Sequence, residues 1–115
     1  MTDSRFARAV RHYEDQLAKV RERRTVQQTK ARHWQALSGS IRARDGGICR
    51  VCGIRTVAPG GHPARVGQAH HIVYRSKEDN DSPSNLVWLC GQCHQDEHEH
   101  IIRIIGTADA LTVIR

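Results

Sequence analysis

Two pairs of cysteines and a group of histidines are the residues of this chain whose types and spacing could do chemistry. Cys49-Arg50-Val51-Cys52-Gly53 and Cys90-Gly91-Gln92-Cys93 are both Cys-x-x-Cys turns. That spacing lets two thiolates converge on one ion, and Gly53 and Gly91 suit the unusual backbone angles such turns need. Two pairs complete a tetrahedral four-cysteine site with no coordination position left for a substrate, so the expected ion is a structural Zn2+. The bland alternatives are four unrelated buried thiols or a redox pair, or a site in which His62 or His94 replaces a cysteine.

Of the eight histidines, His70, His71, His94 and His98 stand out. His94 and His98 are four apart on a stretch that reads as a helix, so they share a face and can chelate one ion together. His94 lies roughly 100° around that helix from Cys93, which frees it to face away from the cysteine site. His70 and His71 are neighbours on an expected strand and point to opposite sides, so they have different jobs unless the strand bends. Hydrolysis of a phosphodiester calls for a base to deprotonate water, a cation for the developing charge and help for the leaving group. A neutral histidine can be that base, and a divalent ion on the other histidines can supply the rest. Spacing alone leaves a second zinc site or scattered surface histidines as the competing readings.

The elements that must position these groups follow from the pattern. Phe6, Val10, Tyr13, Leu17 and Val20 recur in steps of four and three, which predicts a helix with one apolar stripe. Thr25, Val26 and Thr29 weaken it, and Trp34, Leu37 and Ile41 resume it up to Asp45-Gly46-Gly47, a strong stop. One long helix or two consecutive helices are expected. The stripe is left to dock on the domain, fold back as a hairpin or pair with another copy. Residues 53–68 read as loop, residues 69–74 as a strand, 75–84 as an exposed loop and 85–89 as a second strand. A helix is predicted from about His94 to Ile105, stopped by Gly106, with a short strand over 111–114.

At 115 residues the chain is one small domain with a helical extension, expected to need a metal to stay folded. The formal charge is +6, and twelve of the eighteen Lys and Arg fall within residues 1–50. A concentrated basic segment suits a polyanion such as DNA, although a solvated helix face has the same composition. The opening MTDSRFARAV has no apolar signal-peptide run, and no stretch approaches the roughly 18–20 apolar residues of a membrane span. A cytoplasmic location in a bacterial host cell, with no membrane partner, is the expectation. In that reducing setting cysteine pairs favour metal over disulfide.

Taken together, Cys49–Cys52, AHHI at 69–72 and SNLVWLCGQCH at 84–94 resemble the HNH endonucleases, whose active site is a ββα-metal fold. The likeness spans roughly residues 44–105. It implies an α+β fold in which 1–44 is a basic helical arm and 45–115 a zinc-bound HNH nuclease domain. It also implies that His71 is the general base, that His70 and His94 bind the catalytic ion, and that Asn85 tethers the inter-strand loop and sets the base. The intervals from Asn85 to His94 and His98 are similar to those of colicin-type DNases, which makes His98 a third ligand. The chain departs from the commoner pattern in carrying His70 where many members have Asp. That shifts the expected catalytic ion from Mg2+ toward Mn2+, Ni2+ or Zn2+. The inter-strand loop also lacks a frequent glycine pair and carries Lys77, Glu78, Asp79 and Asp81 instead. Arg42, Arg44, Arg75 and Lys77 flank the presumed active face as candidate phosphate contacts. The small, Arg-rich chain looks most like HNH proteins of phages and prophages, with phage packaging proteins as partners to consider. A monomer, or a homodimer through the N-terminal helices, fits that reading. The alternatives are a non-catalytic zinc-bound nucleic-acid module and a nuclease subunit that cuts only inside a packaging machine.

Overall fold

The computed structural model describes residues 4–115, in two compact units that meet in sequence at Ala36 and Leu37. The first helix, α1 (Ser4–Arg44), is continuous across that point. It is rich in Ala, Arg, Gln, Glu and Lys, all good helix formers. Thr25 and Thr29, which weaken the pattern in sequence, donate their hydroxyls to the carbonyls of Arg21 and Thr25 one turn back. Both nevertheless sit inside one uninterrupted helix, which excludes the hairpin alternative. The stripe residues Phe6, Val10, Tyr13, Leu17 and Val20 are exposed. Among the described residues, no helix is long and apolar enough to cross a membrane.

The helix stops where Asp45-Gly46-Gly47 signals it. Gly46 and Gly47 take φ of +66° and +68°, a left-handed turn that residues with a Cβ resist. Their amides close back on Ala43 O and Arg42 O at 3.2 and 2.9 Å, capping the last carbonyls.

In the unit Leu37–Arg115, β1 (Gly67–His71) and β2 (Leu86–Cys90) form an antiparallel pair in which His70 faces Val87 and His71 faces Leu86. A 3-10 turn (Pro83–Asn85) leads into β2, and α2 (Gly91–His98) follows β2 with no linker. All five β2 residues are buried, which explains why this strand reads as a solid apolar run. Val87, Leu89 and Cys90 pack with Cys49, Ile72, Cys93, Ile102, Ile104 and Ala108 into one core. The α+β architecture, with a ββα arrangement and a long N-terminal helix, is the one expected.

The C-terminal stretch corrects the sequence reading. The helix expected to run to Ile105 ends at His98. Residues Arg103–Thr107 instead form β3, paired antiparallel with β4 (Ala110–Ile114). His100 takes φ of +60°, which ends helical geometry, and Ile102, Ile104 and Ile105 are β-branched residues that fit a pleated surface. Ile102 and Ile104 are buried, so the hairpin is held by the core it helps to close.

One carboxylate locks the end of α1 to β2. Asp45 accepts hydrogen bonds from Arg44 (2.9 Å), Arg50 (3.0 Å) and the Trp88 amide (3.0 Å). Arg44 donates on to Pro83 O and Leu86 O at 2.8 and 2.6 Å, and Arg50 to Ala108 O at 2.7 Å. Trp88 is buried in the core, with its indole N–H on Thr56 Oγ1 at 2.9 Å.

Candidate active site

The four cysteines come from two segments that β2 brings together. Cys49 and Cys52 sit on the knuckle turn after α1, and Cys90 and Cys93 at the β2–α2 junction. Their sulfurs lie within 4.8 Å of one another, and Cys52 Sγ is 3.8 Å from Cys90 Sγ. A tetrahedral ion with Zn–S bonds of 2.3 Å sets its sulfurs about 3.8 Å apart, so the cluster fits a structural zinc. Burial opposes ionisation of Cys49, but backbone amide hydrogen bonds outweigh it and lower the thiol to about 7. Burial and the neighbouring Cys49 charge push Cys93 up, well beyond the usual thiol range. One thiolate forms readily and the next is resisted, a conflict that a divalent cation relieves.

Three histidines form the second cluster. His70, on the buried face of β1, meets His94 and His98 on α2, and a ligand nitrogen of each lies within 4.8 Å of the others. His94 Nε2 and His98 Nε2 are 3.3 Å apart, close to the separation of about 3.3–3.4 Å between two nitrogens on one tetrahedral ion. His70 Nε2 is buried without a hydrogen-bond partner. Burial first, and the charges of His94, His98 and His71 next, lower His70 to about 4. Burial and His98 also lower His94, against the opposing pull of Glu97. Both rings are therefore neutral at physiological pH, as metal ligands must be.

His71 is directed elsewhere. Its Nε2 lies 2.7 Å from Asp81 Oδ1, and the same oxygen accepts from Arg75 at 3.2 Å. The hydrogen bond from His71 first, and Arg75 as well, hold Asp81 below the usual carboxylate value. β1 ends at His71 and the chain bends at Ile72 and Val73. The two adjacent histidines line one cleft of about 340 Å³ with Tyr74, Arg75, His94 and His98.

Asn85 is buried beneath that bend. Its Oδ1 accepts from the Val73 amide at 2.9 Å, and its Nδ2 donates to Val73 O (3.2 Å) and Asn80 O (2.9 Å). One side chain thus pins both ends of the loop that carries Arg75 and leads to Asp81. Of the four basic residues singled out in the sequence, Arg75 lies at the histidine cleft. Lys77 lines a neighbouring hollow with Tyr74 and Glu97, and Arg42 a third with Arg55. The Arg44 guanidinium is spent on Asp45, Pro83 and Leu86 inside the fold.

Three residues of the site are not marked by the sequence pattern: Asp81, Glu97 and Tyr74. Glu97 lies one residue before His98, the only trace it leaves; it is buried, and its Oε1 accepts the Tyr74 hydroxyl at 2.6 Å. Burial, and then Glu97, raise the Tyr74 phenol to about 12.

Residues 49–100 match the family model described as HNH endonuclease. No curated protein and no solved structure matches the chain.

Proposed function

We propose that this chain, which carries an HNH endonuclease domain over residues 49–100, hydrolyses DNA phosphodiester bonds with His71 as general base. The observation that carries this reading is the single cleft in which His71 stands beside the His70, His94 and His98 cluster. A base and a cation site open to the same space are what the reaction needs.

In this reading His70, His94 and His98 hold a divalent ion, with Mn2+, Ni2+ and Zn2+ favoured over Mg2+ by the nitrogen donors. A bound ion supplies positive charge for the non-bridging phosphate oxygen and the departing 3′-oxygen. His71 gives its Nε2–H to Asp81, which orients the ring, and takes the water proton on Nδ1. Arg75, anchored on the same Asp81 oxygen, offers a charge to the substrate phosphate at the mouth of the cleft. Asn85 fixes the loop against which the base is set. In-line attack leaves 5′-phosphate and 3′-hydroxyl ends. Arg42, Lys77 and the arginines of α1 are assigned to the DNA backbone. Arg44 is withdrawn from that role in favour of its structural one. The Arg-rich composition of α1 is what supports a phage- or prophage-type enzyme, acting alone or with packaging proteins.

Supercoiled plasmid incubated with the chain and Mg2+, Mn2+, Ni2+ or Zn2+ tests the reading. Wild type converts it to nicked or linear DNA, and His71→Ala loses at least about 100-fold in rate, the usual contribution of a general base. His71→Ala cutting at the wild-type rate removes the base assignment. Intact plasmid with every metal makes the chain a binding module, unless a packaging partner restores cutting.

A further inference from the structure

We propose that Glu97 is a fourth protein ligand of the ion site formed by His70, His94 and His98, so that the cation is held by three imidazoles and one carboxylate. This rests on the metal site described under the proposed function and deepens it.

Glu97 lies three residues after His94 and one before His98, so helical spacing turns it to the same side of α2. It is 5 % exposed, an uncommon place for a carboxylate without a partner for each oxygen. Oε1 has the Tyr74 hydroxyl at 2.6 Å. Oε2 has no hydrogen-bond partner, and neither has the buried Nε2 of His70, 3.6 Å away. That separation is too long for a hydrogen bond between them. Two buried polar atoms facing each other without a bond are each costly. An ion about 2.1 Å from both would place them about 3.0–3.4 Å apart, a few tenths of an ångström closer than they stand. One cation then satisfies both once the carboxylate, which stands outside the 4.8 Å grouping of the three imidazole nitrogens, draws in toward them.

Tyr74 fits the same arrangement from outside. Its hydroxyl fixes the carboxylate, as ligating carboxylates are commonly fixed by a further hydrogen bond. Its ring stacks on His98 at 5.9 Å with an interplanar angle of 12°. The carboxylate reduces the net charge of a bound divalent ion site from two to one and adds a hard oxygen donor. It therefore shifts selectivity from Zn2+ toward Mn2+.

The test is Mn2+ titration of the full-length, zinc-loaded chain, following free Mn2+ by electron paramagnetic resonance, with Zn2+ competition at the second site. Glu97→Gln should weaken Mn2+ binding by at least about tenfold and Zn2+ binding by less, at unchanged far-UV circular dichroism. Tyr74→Phe should weaken Mn2+ in the same direction by a smaller factor. Unchanged Mn2+ affinity and unchanged Mn2+/Zn2+ preference in Glu97→Gln overturn the proposal. If Glu97→Gln does not fold, Glu97→Asp decides, because it keeps the charge but draws it back by one methylene. An unchanged Mn2+ affinity there overturns it equally. His94→Ala separates the two readings: if it abolishes binding while Glu97→Gln does not, the ion site stands and only Glu97 is wrong. A wild type that takes up no second ion sinks both.

Discussion

Single residues in this chain do their work through pairings that cross long stretches of sequence. Asp45 gathers Arg44, Arg50 and the Trp88 amide, and its side chain is 3 % exposed. Burial alone would raise its pKa, but the hydrogen bonds of Arg44, Trp88 and Arg50 outweigh burial and hold it below the ordinary 3.8. A depressed folded value contributes stability that is complete above the ordinary value and is lost as pH falls through the folded one. Unfolding midpoints should therefore drop steeply below about pH 4. Asp45→Asn should cost about 2–4 kcal/mol at neutral pH and flatten that acid limb, as read by denaturant titration across pH. The histidine trio was legible at this scale because helical spacing and neighbouring positions mark it. Asp81 and Glu97 were not, since what makes them matter is a loop that returns to His71 and a Tyr74 hydroxyl. Neither contact has a periodicity.

At the scale of elements, the β2–α2 junction is the tightest constraint. A Cβ on Gly91 would run into the Pro63 carbonyl, and the Gln92 amide donates to Ala64 O at 3.1 Å, so the two segments are pressed together at the backbone. Gly91→Ala should cost about 1–3 kcal/mol, seen as a lower midpoint of thermal or denaturant unfolding. A midpoint equal to wild type would mean that the 63–64 segment yields freely. The strand pair and the stop at Asp45-Gly46-Gly47 could be read from alternation, apolar runs and glycine, whereas α2 begins at Gly91, three residues before the start expected at His94. The length of α2 could not be read in this way. Ile101, Ile102, Ile104 and Ile105 sit at spacings a helix also uses, and only their β-branching and the backbone at His100 lead the chain out of α2 and into the hairpin that begins at Arg103.

For the whole molecule, charge is the property that any DNA encounter feels first. The excess of Lys and Arg lies in the first fifty residues, and Arg21, Arg23 and Arg24 are exposed on α1. If these arginines neutralise phosphates, the slope of log affinity against log salt should fall by about 0.9 for each contact removed. Replacing all three by alanine, with affinity measured from 50 to 200 mM salt, checks it; an unchanged slope leaves α1 a solvated helix. The charge imbalance was plain in the sequence, whereas the continuity of α1 past Thr25 and Thr29 was not, because β-branched residues weaken a helical pattern without fixing where it ends.

The absence of a linker between β2 and α2 puts Cys90 and Cys93 within nine residues of His94 and His98, on the same strand end and the same two turns of helix. The sulfurs do not touch substrate in the proposed reaction, yet they fix the first turn of the helix that carries both imidazoles. An oxidant that converts these thiols to disulfides would take away that anchor, and Cys52, the exposed member of the four, is where it would enter. Such damage would be felt at the histidines rather than at the sulfurs.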